Sequence, residues 1–243
     1  LMAFSPETFT KHYFTPHLLT MVHVAALGWG TMIIFGAAHQ LLPVICEQDL
    51  YSEKMAAFVW YTLTLGMILL TTNFWNLTVG WAMISGGSLI VISASLYLYN
   101  VLKTSRICKK YSVQKLFLTS SAVWLLFTVT VGLLLAINLK FPFFKQSHLE
   151  ILKLHAHAGF AGWFLQLITG VSTKLVPMFL LGKSNKEYLL KWAFIFQNLG
   201  LILFLTDGYF IGVSARVLIY AAIVLVGVII WLLYLYDTFK NRL

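Results

Sequence analysis

Residues 214–238 read SARVLIYAAIVLVGVIIWLLYLYDT, and after Arg216 no charged side chain appears until Asp237. That is enough apolar chain to cross a bilayer as a helix, which takes about 20 residues. Outward from this stretch, six more runs of the same kind lie near 16–45, 55–74, 78–101, 115–139, 148–180 and 188–209. The first and fifth exceed what a bilayer requires, so tilting or projection beyond it is expected of them. The chain of 243 residues is 60% hydrophobic and only 10% charged, with a mean hydropathy of +0.84. Soluble domains run about 45–50% apolar and about 25% charged. The fold expected is therefore an all-α integral membrane bundle of seven transmembrane helices. Soluble enzyme folds, nucleic-acid-binding domains and secreted disulfide scaffolds are excluded. The net charge of +9 is no nucleic-acid signal, because the Lys and Arg sit in short loops between apolar runs. Cys46 and Cys108 make no CxxC or CxxCH pattern, so neither a disulfide frame nor covalent heme attachment is indicated. The first fifteen residues lack the basic and apolar regions of a cleavable signal. Leu1 precedes Met2, which leaves a natural start upstream open.

Basic residues set the orientation. One set of loops carries Lys54, then Lys103, Arg106, Lys109, Lys110 and Lys115, then Lys183, Lys186 and Lys191, then Lys240 and Arg242. The other carries Lys11, Lys140, Lys145, Lys153 and Arg216. Cytoplasmic loops are enriched in Lys and Arg. In a cell (plasma) membrane the first set is then cytoplasmic, with the N-terminus outside and the C-terminus inside.

An offset of 134 residues brings the chain onto itself. His23 falls on His157, Gly28-Trp29 on Gly162-Trp163, Gly36 on Gly170 and Pro43 on Pro177. The match continues with Glu53 on Glu187, Leu65-Gly66 on Leu199-Gly200 and Thr72 on Thr206. Shared Leu and Ile mean little in apolar helices, but matched His, Trp, Gly and Pro at one offset point to an internal repeat, common in membrane folds. Because the offset spans four helices, the repeat is parallel. Two units are expected within one membrane domain: residues 1–110 with helices one to three, and 111–243 with helices four to seven. His23 and His157 then sit at the same depth.

The seven histidines are His12, His17, His23, His39, His148, His155 and His157. Most gather toward the outer ends of the first and fifth runs. An imidazole in hydrocarbon needs a partner, and ionisable groups there tend to be functional. The plain alternative is a hydrogen bond to a neighbouring helix. Two imidazoles from parallel helices can fill both axial positions of a heme iron, which favours electron transfer over gas binding. Structural zinc wants four ligands, and the outer half offers few carboxylates beside Glu7, Glu150 and Asp207. A flat apolar cofactor also suits a core containing Trp29, Phe160, Trp163 and Phe164. In His155-Ala156-His157, at about 100° per residue, the two rings point roughly 200° apart. With His157 on the site shared with His23, His155 faces a different space, open to a second heme, copper or a simple hydrogen bond. Gly159, one turn on, leaves room there.

These residues carry a resemblance. Leu154-His155-Ala156-His157-Ala158-Gly159, with Met21-Val22-His23 and Met32-Ile33-Ile34-Phe35-Gly36, resembles subunit I of the heme–copper oxidases and the related NO-response protein NnrS. That superfamily has three four-helix repeats. The resemblance implies that His23 and His157 hold a low-spin heme b and that His155 faces a second, high-spin site. It also implies that Arg216, near Asp207 and Tyr209, meets heme propionates; a snorkelling interface Arg is the alternative. The resemblance is strongest in helices one, two and five to seven. The middle repeat, with its copper-ligating His, His-His pair and cross-linked Tyr, has no counterpart, since no His lies between His39 and His148. A shortened member is implied, whose heme serves electron transfer and whose second site is open to O2 or NO. Whether it is an enzyme, a heme-dependent oxidoreductase, stays open at this point. A quinol or cytochrome c donor, surrounding membrane lipid and a homo-oligomer are the expected partners, with no nucleic acid. Two other classes compete: a Cu- or Zn-handling membrane protein or transporter using the outer His cluster, and a cofactor-free assembly subunit of a respiratory complex. His39 reads as structural, and Ser85, Gly86, Gly87 and Ser88 read as close helix packing.

Overall fold

A computed structural model describes residues 14–107 and 112–242. His12, Glu7, Lys11, Cys108, Lys109 and Lys110 lie outside the described residues. Among the described residues, seven helices are long and apolar enough to cross a membrane: α1 Pro16–Cys46, α2 Glu53–Trp75, α3 Trp81–Ile107, α4 Val113–Lys140, α5 His148–Leu180, α6 Glu187–Phe210 and α7 Val217–Lys240. Several starts are fixed by side chains that accept the free N–H groups of the first turn. Thr15 accepts from Leu18, Ser52 from Met55, Ser112 from Lys115 and Ser147 from Glu150.

The two longest helices are interrupted alike. Each contains a π-helical segment, Val24–Thr31 in α1 and Ala158–Phe164 in α5. The wider turn begins directly after His23 in one and His157 in the other. Such segments are rare and gather at functional sites. Each helix ends on a proline followed by a left-handed residue, Pro43 with Glu47 (φ 52°) and Pro177 with Leu181 (φ 49°). The N–H of Gln48 returns to the Pro43 carbonyl, and that of Gly182 to the Pro177 carbonyl.

Small residues let neighbouring helices close up. A Cβ on Gly66 of α2 would stand 2.8 Å from the Gly86 carbonyl oxygen and 3.0 Å from the Ile90 nitrogen of α3. A Cβ on Gly200 of α6 would stand 2.8 Å from the Tyr220 carbonyl oxygen and 3.0 Å from the Val224 nitrogen of α7. The Ser93 hydroxyl donates to the Val59 carbonyl at 2.6 Å, tying α3 to α2. One core cluster centres on Phe35, Leu63, Tyr97 and Trp163. A second joins α4, α5 and α6, and a third packs Phe117 against Leu190 and Tyr234. Large apolar side chains such as Trp29, Phe210 and Leu218 point outward, as a surface solvated by lipid requires.

Candidate functional site

α1 and α5 meet where the Trp163 indole N–H donates to the Thr31 hydroxyl (3.3 Å) and Phe164 lies against Gly30. Toward the N-terminal ends of both helices a cavity of about 410 Å3 opens between them. Its remaining walls come from α2 (Leu70, Phe74), α3 (Gly87, Ile90) and α4 (Leu125 to Leu133). The volume falls in the ordinary range for a bound small molecule, about 300–1,000 Å3. Lys153 is the one cation among its lining residues.

Three histidines border this cavity. His23 donates from Nδ1 to the Leu19 carbonyl (2.7 Å) and packs on Phe74. His155 donates from Nδ1 across to the Thr128 carbonyl of α4 (2.9 Å). Its ring lies against Gly132, where a Cβ would come within 2.9 Å of Cε1. His157 donates from Nδ1 to the Lys153 carbonyl (2.8 Å). A carbonyl oxygen only accepts, so in each neutral ring the proton sits on Nδ1 and the Nε2 lone pair is free. Metal-ligating histidines are oriented in the same way, by a second-nitrogen bond to a fixed acceptor.

Two of these rings lie near each other. His23 and His155 stand with centroids 6.3 Å apart and planes 14° from parallel. His157 is exposed and turns to α6, where it packs on Phe204 at 4.7 Å. Rings two residues apart on a helix do point to different sides, as their spacing dictates. The ring that turns toward His23, however, is His155 rather than His157.

Arg216 does not line the cavity. Its Nε lies 3.2 Å from an Asp207 carboxylate oxygen and 3.1 Å from the Ser214 hydroxyl. His17 packs on Trp75, His148 on Phe14, and His39 between Phe35 and Tyr97. His17, His39 and His148 thus lie away from the cavity. No three His, Cys, Asp or Glu converge on a metal-sized point among the described residues. Gly132 and Thr128, which seat His155, escaped the sequence reading. The sequence signal available was a glycine inside an otherwise bulky apolar helix.

Over 76 residues, 31% of its length, the chain is 33% identical to the cytochrome c oxidase subunit 1 homolog of Agrobacterium tumefaciens (strain T37). The matched stretch spans 14% of that protein. The similarity is weak and consistent with a heme–copper oxidase-like relationship. No family model matches the chain, and no solved structure matches it.

Proposed function

We propose that this chain is a membrane b-type heme protein, a reduced relative of the oxidase core subunit, in which His23 and His155 would hold one heme in the slot between α1 and α5. The observation that carries the proposal is the 6.3 Å separation of two near-parallel imidazoles whose Nε2 atoms are free. A heme held by two imidazoles supplies one-electron transfer and leaves no open position for O2 or NO. Electron transfer, from a quinol or a cytochrome c, is therefore the reading favoured over gas reduction.

The chain's own residues prepare the slot. The Leu19 and Thr128 carbonyls fix both tautomers. Gly132 admits the His155 ring, and the Thr31–Trp163 bond closes one end. Arg216 is engaged by Asp207, so Lys153 takes the role of meeting the cofactor's carboxylates. His157 has a free Nε2 but no facing ring, so a second heme or copper is not assigned to it.

The proposal includes an internal duplication at the 134-residue offset, with units 1–110 and 111–243. The paired π segments, proline ends and Gly66 and Gly200 contacts support it. It also includes an outside N-terminus, a cytoplasmic C-terminus, residence in the cell membrane and a homo-oligomer among its partners. Protein purified from heme-supplemented cells is expected to show a Soret band and one heme b per chain by the pyridine hemochrome assay. Protein without porphyrin overturns the proposal, and copper or zinc in its place returns the metal-handling reading.

A further inference from the structure

Gln166 of α5 and Gln197 of α6 are fully buried (0% exposed). The side-chain carbonyl oxygen of each accepts no hydrogen bond among the described residues. Gln166 belongs to a polar cluster shared with α4, and Gln197 pairs with Thr169 of α5. Asn198 Oδ1 accepts from the Trp124 indole (2.9 Å), the Gln166 amide (2.9 Å) and the Ser120 hydroxyl (3.2 Å). The Gln197 amide donates to the Thr169 hydroxyl oxygen (3.3 Å), and that hydroxyl donates to the Leu165 carbonyl (2.9 Å).

The amide orientations follow from chemistry. An indole N–H only donates, so Trp124 fixes Asn198 with its oxygen toward the cluster. Asn198 Nδ2 agrees, donating to the Phe194 carbonyl at 2.9 Å. That oxygen can take only the nitrogen of Gln166. Thr169, whose proton is committed to Leu165, takes the nitrogen of Gln197. The two orphan atoms are therefore both acceptors. Leaving buried acceptors unpaired is costly, and inside a bilayer no bulk water relieves it.

We propose that Gln166 Oε1 and Gln197 Oε1 bind ordered water within the membrane-spanning bundle. The site lies about one helical turn beyond Trp163, the three residues to Gln166 rising roughly 4.5 Å. Water is the ligand that matches: it brings two O–H donors and no net charge, and buried waters occupy such sites in folded proteins. An anion brings no donor. A cation lacks its counter-charge, since the cluster contains no carboxylate. The site stands independently of heme in the slot.

The test is a structure of the full chain in lipid nanodiscs, at a resolution that shows ordered water, for wild type and Gln197→Met. Wild type is expected to show water density within hydrogen-bond reach of each oxygen, and the variant to lose the density at residue 197 with the helices in place. If Gln197→Met does not fold, Gln166→Met serves the same purpose. No density in wild type, or density unchanged in the variant, overturns the proposal. Density ringed by five or six oxygens at metal distances overturns it in favour of a cation.

Discussion

α1 and α5 share a backbone plan but place equivalent side chains against different partners. Each runs past a histidine into a π segment and ends on a proline and a left-handed cap. Yet the partner of His23 is His155, whose counterpart at the 134-residue offset is the buried Met21. Shared sequence positions fix depth and helix shape. Which side chains meet across a gap depends on the rotation between the two helices, and the offset carries no information about that rotation.

The largest expected effect breaks the pairing itself. His23→Ala removes one of the two neighbouring imidazoles. Losing even an outer partner of a ligand costs about 10–100-fold in metal affinity, so at least a tenfold fall in bound heme is expected, read as heme per chain after purification. Heme retained at wild-type level would take His23 out of the site.

Gly132→Val acts on the α5 side alone. Its side chain intrudes where even a Cβ approaches His155 Cε1 to 2.9 Å. The low-spin visible bands are expected to weaken, with a high-spin signal rising by electron paramagnetic resonance. An unchanged spectrum would show that His155 does not need that surface.

Gly66→Leu and Gly200→Leu test the proposed duplication. Both force a side chain against the facing backbone, and overpacking of this kind costs about 1–3 kcal/mol. Comparable falls in thermal stability in detergent are expected from the two. A large fall from one and none from the other would argue against equivalent packing of α2 on α3 and α6 on α7.

Arg216→Gln should do least. The Asp207 pair is partly exposed, the Arg216 side chain at 42%, and exposed pairs contribute about 0–1 kcal/mol. Heme affinity is expected to stay within twofold. A loss like that of His23→Ala would return Arg216 to the cofactor's carboxylates.

Much of this frame was legible in the sequence, because apolar run length alone decides which segments cross a bilayer. The fifth run, expected at 148–180, is His148–Leu180. The third was expected at 78–101 and is Trp81–Ile107. It starts late because Leu77 turns with positive φ and the Thr78 hydroxyl bonds Asn73. It ends late because the helix continues beyond the apolar stretch through Lys103 and Arg106, which hydropathy does not see. The histidines were legible as candidates, and the opposite directions of His155 and His157 follow from helical geometry. The choice between them was not. It rests on Thr128 and Gly132, in α4, receiving one ring while Phe204, in α6, receives the other. Sequence proximity suggests Arg216 beside Asp207, and the fold closes the pair at 3.2 Å.

The most direct measurement compares reduced-minus-oxidised spectra of purified His155→Ala and His157→Ala proteins at equal chain concentration. The account predicts that His155→Ala loses the low-spin heme bands while His157→Ala keeps them. Loss in His157→Ala with retention in His155→Ala would contradict it.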